Sequence, residues 1–557
     1  MTAAGTRRDL RRLARLRGIQ LSYTGHDGRA VHATAETLAG VLEALGYPVP
    51  NAAAIRDQLR LAESETAAGP RDGRSTDQWP VPRRLDPPAR GLGVNAPLYA
   101  LRSRDDWGVG SFRDLAGFAE LAASWGADLI GTLPLFAIST ESPIDPSPYL
   151  PISRLFWNEL YVDVGHAAAL AGCDSPAELR PTPRVRAADA VDYDTVAAAK
   201  RSALEVCAAA MQQAEGRRRT DFERFVAEHP ELDGFAEFRA KGNERDAQYH
   251  RFVQYAASVQ LAEAASRGEQ NGVGLYLDLP VGVHPDGYDT WAYPDLFADA
   301  QVGAPPDSFF AGGQAWGFPP LHPQRLQASG YRYFIDGLRV ALRHSRAVRI
   351  DHVLGLQRLY WIPPGADATS GAYVHYPFEE LLAIITAEAD RAGAVVIGED
   401  LGTVSPQIRR AMDRAGVLHS FVYQFDADAT TPFPQPRRPS AASLGTHDLP
   451  RFAAFWRGPE QRDLVAAVGE PDPARAVATC LEELAGGSAS YLLVDVADLE
   501  GEVEPDNRPG TGPEAGNWRH RLPRPIEELA TDDELRRLMT GLAERRTRAH
   551  AHGKVSP

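Results

Sequence analysis

The chain is poor in lysine, in cysteine and in long apolar runs, and each shortage argues against a class of protein. Its lysines are Lys200, Lys241 and Lys554. None of them lies in a motif, so a lysine nucleophile or a pyridoxal Schiff base is not expected. The 3 cysteines have no CxxC spacing, which argues against a disulfide framework and a zinc site. No apolar run reaches the ~18 residues that a transmembrane helix requires.

An excess of positive charge is also missing. The 557 residues include 59 Lys and Arg against 74 Asp and Glu, a formal net charge of −15. This balance argues against nucleic acid and anionic membranes as partners. The N-terminus, MTAAGTRRDLRRLARLRG, has no apolar signal core, so we expect a cytoplasmic location. The sequence leaves the oligomeric state open.

Short apolar runs recur from about residue 93 onwards, and amphipathic segments follow many of them. A run of this kind is typical of a buried strand, and strands that alternate with helices form parallel sheets. Eight such units predict an α/β fold, the (β/α)₈ TIM barrel. The candidate strands are NAPLYAL, DLIGTLPLF, VGLYLDLPV, AVRIDHV, AVVIGED, SFVYQFD, SLGTHDL and SYLLVDV.

The rest of the chain predicts what is attached to the barrel. Helical periodicity over residues 7–62 indicates a small, mainly helical N-terminal domain, in which Thr34 is a helix N-cap. Pro, Gly and charged residues then dominate, as in a linker. The predicted units are an N-terminal helical domain at 1–68, a linker at 69–92, the barrel at 93–530 with a helical insertion at about 155–270 and a loop insertion at about 282–330, and a C-terminal helix and tail at 531–557.

Three acidic residues each lie where one of these runs would emerge into a loop. They are Asp351 in AVRIDHVLGL, Glu399 in AVVIGEDLGTV and Asp448 in ASLGTHDLP, and the intervals between them are 48 and 49 residues. In a parallel barrel the strand ends meet at one face, so the three carboxyl groups are expected there together. Such a group suits glycosidic-bond chemistry, which requires an acid, a nucleophile and contacts that hold the sugar.

The first two acids have a chemical and a structural interpretation each. Asp351 follows Arg349 by two positions, so both side chains lie on one face of a strand. The guanidinium favours the ionised carboxylate of a nucleophile, or the two residues form only a structural ion pair. Glu399 follows the apolar run AVVI, and a Glu at the mouth of a barrel, against apolar surface, can have a raised pKa and act as a general acid. Alternatively, Glu399 or its neighbour Asp400 caps the following helix.

The third acid, Asp448, directly follows His447. A His–Asp pair at a strand end can bind two vicinal sugar hydroxyls, or Asp448 caps a helix over LPRFAAFW. A metal site is the competing interpretation. His352 and His447 are the histidines adjacent to the three acids, and the chain has no HExxH or facial-triad spacing. We therefore expect neither a catalytic metal nor a cofactor.

Seven strings, in this order, resemble the 4-α-glucanotransferases of the amylomaltase (disproportionating enzyme) type, glycoside hydrolase family 77. The resemblance runs from about residue 93 to about 525 and extends to the N-terminal helices of longer bacterial members. The strings are SPYLPISR, LYLDLPVGVHPDGYDTW, GAPPDSFFAGGQAWGFPPL, RIDHVLGLQRLYWIP, VIGEDLGTV, GTHDLP and DNRPGTGPEAGNWRHRLP.

The resemblance implies a retaining glycosyltransferase that moves α-1,4-glucan segments to the 4-hydroxyl of an acceptor glucose or maltooligosaccharide, through a covalent glucosyl-aspartate. By this resemblance Asp351 is the nucleophile, Glu399 the general acid/base and Asp448 the transition-state stabiliser. The implied substrate-binding residues are Tyr149, Asp278, Gln314, Trp316, Arg349, His352 and His447.

Retention makes a geometric prediction, since the Asp351 and Glu399 carboxyl groups should then lie about 5–5.5 Å apart. Three alternatives stay open at this point. The chain could be an α-glucan hydrolase that uses the same acids, or a non-catalytic glucan-binding protein. It could also be an enzyme of the same type that acts on modified oligosaccharides.

Overall fold

The N-terminal region is helical, as its periodicity predicts, and carries one small hairpin. Its helices are Ala3–Leu16, Ala35–Ala44 and Ala52–Ala68. The hairpin pairs Ser22–Thr24 with Ala30–His32. The computed structural model describes residues 3–68, 82–86, 88–307, 310–402, 404–437 and 439–552. Most of the predicted linker, residues 69–81 and 87, and the tail after residue 552 lie outside this part of the chain.

Eight parallel strands close into a barrel, in the order in which they follow each other along the chain. Their residues are almost all buried, which explains why they occur as short apolar runs. The (β/α)₈ prediction is therefore confirmed. The strands are β1 Gly91–Asn95, β2 Leu129–Gly131, β3 Gly274–Leu279, β4 Ser345–Ile350, β5 Val395–Gly398, β6 Leu418–Val422, β7 Ser440–Ser443 and β8 Tyr491–Asp495.

The first strand is not where the sequence predicts it. Only Asn95 of the run NAPLYAL belongs to β1, and Leu98–Ala100 form a 3₁₀ turn. The strand instead begins at Gly91, inside the predicted linker. Side chains of a neighbouring strand lie so close to its glycines that a larger residue would not fit. A Cβ on Gly91 would lie 2.5 Å from the ring of Tyr491 on β8. Glycine therefore marks tight strand packing here rather than a break in structure.

Two other predicted strands end earlier than expected. The run SFVYQFD contributes residues up to Val422 to β6, and Tyr423–Asp426 turn into a short helix. The run SLGTHDL contributes only Ser443 to β7. The motif GTHD consequently belongs to the loop that follows this strand.

Helices cover the outside of the barrel and fill the longest connections. The first barrel helix, Phe112–Ser124, begins with a capping box between Ser111 and Asp114, which satisfies the free amides of its first turn. The long helix Glu244–Gln270 packs against it. Within the described residues no helix is both long enough and apolar enough to cross a membrane. Further helices of at least eight residues are Val164–Ala171, Tyr193–Gln213, Arg217–Glu228, Glu231–Ala240, Arg332–Leu342, Phe378–Ala392, Pro406–Ala415, Pro473–Gly486 and Asp533–His552.

A small antiparallel sheet, which the sequence interpretation missed, lies between the N-terminal region and the barrel mouth. Its strands, in sheet order, are Ala372–His375, Arg358–Ile362, Gln301–Ala304 and Gln314–Ala315. The inner strand Arg358–Ile362 is buried at four of its five positions, and the other strands have only two to four residues, so the sheet produces no period-2 pattern. The N-terminal region joins this sheet through a bridge of Ile19 to Val374.

The second helix of the N-terminal region, Ala35–Ala44, begins with a side-chain cap. Thr34 is the N-cap of the second helix, and its side chain accepts a hydrogen bond from the amide of Thr37. This confirms the predicted cap. Gly40 on the same helix packs closely against Pro363, which directly follows the sheet strand Arg358–Ile362. A Cβ on Gly40 would lie 2.7 Å from Pro363. The contact requires glycine at this position because any side chain would push the helix away.

Candidate active site

Three of the predicted site residues form one charged cluster on neighbouring strands. Arg349 on β4 pairs in register with Asp278 on β3. Its Nη1 donates to both carboxylate oxygens of Asp278, at 2.9 and 2.7 Å. The same nitrogen lies 2.8 Å from Oδ1 of Asp351, which directly follows β4. The two-residue spacing therefore puts Arg349 and Asp351 side by side, as the alternation of a strand predicts.

Glu399 directly follows β5, next to this cluster. Its carboxylate accepts hydrogen bonds from the amide of His352, at 3.0 Å, and from the amide of Leu401, at 2.9 Å. The next helix begins at Pro406 and is capped by Ser405, so Glu399 is not a helix cap. The carboxylate instead faces the end of β4, where Asp351 lies.

Asp400 faces the opposite way from Glu399, because successive side chains of an extended segment alternate between its two faces. It is buried. Its carboxylate accepts hydrogen bonds from the amide of Ser420, at 2.9 Å, and from Nε of Arg409, at 3.1 Å, and contacts Nδ1 of His419 at 2.8 Å. These partners anchor the end of β5 to β6, and so fix the backbone from which Glu399 projects.

Asp448 lies on a loop, five positions after the end of β7 at Ser443. Its Oδ2 lies 3.4 Å from Nε2 of His447, and its Oδ1 accepts a 2.6 Å hydrogen bond from the side chain of Asn507. The following short helix has Arg451 as its N-cap. Asp448 is therefore not the helix cap that the sequence allowed as an alternative.

Tyr149 connects the charged cluster to the loop that carries His447 and Asp448. Its hydroxyl donates to Oδ2 of Asp278 at 2.5 Å and lies 3.2 Å from Nδ1 of His447. The two rings are stacked with their centroids 4.6 Å apart. Burial and the neighbouring Asp278 raise the pKa of the Tyr149 phenol. Tyr149 consequently stays neutral at physiological pH. It donates its one hydroxyl proton to Asp278, and its oxygen accepts a hydrogen bond when Nδ1 of His447 is protonated.

Gln314 and Trp316 approach the cluster from the antiparallel sheet. The indole Nε1 of Trp316 donates to Oε1 of Gln314 at 3.2 Å. The Trp316 ring meets the ring of His352 edge to face, with the centroids 5.1 Å apart. His352 directly follows Asp351 and has a positive φ of 43°. This backbone conformation is uncommon outside glycine and is typical of functional sites.

The pKa values of the two central acids are both raised. Burial is the main cause for Asp351, and the negative charges of Asp278 and Glu399 add to it against the opposing charge of Arg349. Burial also raises the pKa of Glu399, although Arg349 and two backbone amides favour its ionised form. A raised pKa suits a general acid. For Asp351, the opposing charge of Arg349 favours the ionised form.

The pKa values of His447 and Asp448, unlike those of the two central acids, shift in the directions that favour the charged form of each residue. The Asp448 side chain is 48% exposed. The protein around it removes part of its solvation and so opposes the charge, but the His447 cation and hydrogen bonds from His447 and Asn507 outweigh this effect and lower the pKa of Asp448 to about 2. Burial likewise opposes the charge on His447, but the Asp448 carboxylate raises the pKa of the imidazole. Asp448 is therefore an anion over the whole physiological range, and His447 gains positive charge beside it.

The contacts described above link the ten predicted site residues into one network, which Gln314 joins through Trp316. One cleft is lined by Asp278, Arg349, Glu399 and His447, among others. A second, more apolar pocket is lined by Asp351 and His352 among others. Among the described residues, no group of three or more His, Cys, Asp or Glu side chains is arranged to hold a metal ion.

The sequence interpretation missed several residues of this site. Asn507 contacts Asp448, and Trp518 packs its ring 5.6 Å from Tyr149 and 5.7 Å from His447. Both lie in the string DNRPGTGPEAGNW, whose position carried no strand or acid signal.

The fold and the site together define a barrel enzyme of glycosidic-bond chemistry, because acidic side chains project from the carboxyl ends of successive strands. The family model described as 4-alpha-glucanotransferase matches residues 96–247 and 240–527. The chain belongs to this family, glycoside hydrolase family 77, and is accordingly a glycosyltransferase of the amylomaltase type.

Individual relatives agree with this assignment. The chain is 36% identical over 532 residues to a 4-alpha-glucanotransferase of Mycobacterium tuberculosis, a match that covers 80% of this chain and 73% of the relative. It is 34% identical to the enzyme of the same name from Haemophilus influenzae, over 65% of this chain and 60% of that protein. Among solved structures, amylomaltase from Corynebacterium glutamicum superposes with a TM-score of 0.87 at 26% identity, over 96% of this chain and 99% of the other.

Proposed function

We propose that this enzyme transfers α-1,4-glucan segments between maltooligosaccharides by a retaining, two-step displacement. The observation that carries the proposal is the contact of Arg349 with Asp351 beside Glu399, at the ends of β4 and β5. In the proposed reaction Asp351 is the ionised carboxylate and Glu399 the protonated one, on adjacent strands. Retaining enzymes require this pair of groups on either side of the bond that is broken.

In the first step, Asp351 attacks C1 of the donor sugar and forms a C1–O bond to its carboxylate. The glycosidic C1–O4 bond breaks, and Glu399 gives its proton to the leaving oxygen. The raised pKa of Glu399 supports this role, since the residue has to carry a proton near neutral pH. The product is a covalent glucosyl-aspartate together with the shortened glucan.

In the second step, the ionised Glu399 takes the proton from the 4-hydroxyl of an acceptor sugar. The acceptor oxygen attacks C1, and the bond to Asp351 breaks, so the nucleophile is returned as a carboxylate. Two inversions at C1 give net retention. Asp448 and His447 bind hydroxyls of the same sugar, and the low pKa of Asp448 keeps it ionised as positive charge develops at C1.

Transfer rather than hydrolysis requires that an acceptor sugar competes with water for the intermediate. Aromatic rings bind the apolar faces of sugars and displace water from the site. The ring of Trp316 lies beside His352 at one edge of the site. Trp316 is the proposed acceptor contact.

The test is product analysis with maltotriose as the single substrate. Transfer gives a series of shorter and longer oligosaccharides at constant total reducing ends. A rise in reducing ends instead supports the hydrolase, and binding without any turnover supports a glucan-binding protein. The Asp351→Asn variant is the control, because activity that survives this substitution refutes the assigned nucleophile.

A further inference from the structure

Of the three acids, Asp448 is the one that does not directly follow a barrel strand. Asp351 and Glu399 are both tied into the barrel by their own backbone amides, which donate to carbonyls of the neighbouring strand. Asp448 lies five positions beyond β7, and its side chain is 48% exposed. A carboxylate on such a loop has several rotamers available unless another group selects one of them.

Asn507 makes two contacts with this loop. Its side-chain Nδ2 donates to Oδ1 of Asp448 at 2.6 Å. Its backbone amide donates to the carbonyl of His447 at 3.1 Å. The first contact orients the carboxylate, and the second holds the peptide unit from which it projects. The first contact occupies Oδ1, and within the part of the chain that the structure describes Oδ2 has only the longer 3.4 Å contact, to Nε2 of His447.

Asn507 is itself held by a buried ion pair. Its neighbour Asp506 accepts a hydrogen bond from the hydroxyl of Tyr99, at 2.9 Å, and pairs with Nη2 of Arg451 at 2.7 Å. Arg451 also pairs with Asp495 at the end of β8, at 3.0 Å. Arg451 and Asp506 are 8% and 3% exposed. Because Arg451 follows Asp448 by three positions, the ion pair connects the base of the Asp448 loop to the residue beside Asn507.

We propose that Asn507 is a positioning residue, which the Arg451–Asp506 ion pair holds in place so that it turns Oδ2 of Asp448 toward the reacting sugar. This inference rests on the proposed function, because it assigns to Asn507 an effect that acts through Asp448. Loss of the Asn507 side chain lets the Asp448 carboxylate rotate away. A misplacement of about 1 Å in a group that acts in the transition state lowers turnover by about 100-fold.

The experiment is a double-mutant cycle of Asn507→Ala and Asp448→Ala. Turnover is measured with maltotriosyl fluoride, whose good leaving group keeps slow variants measurable. We expect Asn507→Ala to lower kcat by about 10- to 100-fold, with a much smaller change in the KM of the donor. In the Asp448→Ala background the same substitution should cost nothing further, since residues that act through one group are not additive.

A second variant, Asn507→Asp, keeps the proposal testable where Asn507→Ala does not fold. It preserves the shape of the side chain but removes the donor and sets a second carboxylate against Asp448. Its kcat should fall at neutral pH and recover relative to the parent enzyme as the pH decreases, because a protonated carboxyl again donates a hydrogen bond. A purely structural role predicts no such change in the pH profile.

Asn243→Ala is the matched control. Asn243 caps the helix Glu244–Gln270 through the amide of Arg245 and lies outside the site. Its loss should lower the thermal unfolding midpoint and leave kcat unchanged. An undiminished cost of Asn507→Ala in the Asp448→Ala background overturns the proposal, and so does normal kcat in Asn507→Ala. The proposed function fails separately, if Asp448→Ala alone retains full activity.

Discussion

Nη1 of Arg349 lies 2.8 Å from Oδ1 of Asp351. The same nitrogen also binds both oxygens of Asp278. One cation thus compensates two carboxylates in a site where the Arg349 side chain is only 14% exposed. Removal of this cation leaves two like charges together with little water to separate them, which is costly.

Arg349→Leu should lower kcat/KM by at least about 100-fold, because Asp351 then both binds a proton more readily and loses its orientation. The measurement is the initial rate of maltotriose disproportionation. Arg346→Leu is the control on the same strand. Arg346 donates to the backbone of Asp128 and Gly272 at the opposite end of β4, so we expect lower thermal stability with near-normal kcat/KM. Equal losses of activity in the two variants would contradict the assignment.

The pH–rate profile should be bell-shaped, with both limbs above the ordinary carboxyl range of about 4. Asp351 acts as the anion, so activity is lost as the pH falls through its raised pKa. Glu399 acts as the acid, so activity is lost as the pH rises through its raised pKa. The two limbs belong to the pair of acids together. They are measured as kcat/KM for maltotriose against pH.

A Glu399→Gln variant tests which acid gives the basic limb. With maltotriosyl fluoride the leaving group needs no proton, so the first step should persist while the basic limb disappears. A basic limb that stays in place would assign it to another group, such as His447.

Tyr149→Phe should lower kcat by about 10-fold, because Asp278 loses a donor while the ring stays stacked on His447. Tyr333→Phe is the matched control, since that hydroxyl also donates to a buried aspartate, Asp289, at 2.7 Å but outside the site. Both variants should lose stability, and only the first should lose turnover. Steady-state kinetics beside thermal unfolding separate the two effects.

Trp316→Ala should raise the KM for the acceptor and increase the share of hydrolysis, because a contact that favours sugar over water is lost. The measurement is the ratio of glucose release to transfer products with maltotriose as donor and labelled glucose as acceptor. Trp291→Ala serves as comparison, since Trp291 is 56% exposed and contacts Phe238 and Tyr288 rather than the site. An unchanged product ratio in Trp316→Ala would exclude it as an acceptor contact.

The barrel could be predicted because its strands are buried on both faces and therefore form apolar runs. Asp351 and Glu399 were placed correctly for the same reason, since each directly follows such a run. The prediction was wrong at β1, where glycines pack against the rings and side chains of neighbouring strands. It was also incomplete at Asp448, which lies on a loop, and the small antiparallel sheet was missed because its strands are short.

The sequence by itself determined the fold class, the family and the positions of Asp351 and Glu399 at the ends of strands, because these depend on local patterns and on long specific strings. The tertiary structure alone decided what each acid contacts. Asp278 and Arg349 are 71 positions apart, and Asp448 and Asn507 are 59 apart, yet each pair shares hydrogen bonds. Such contacts arise when the barrel closes, and they set the pKa values and orientations that no single stretch of sequence contains.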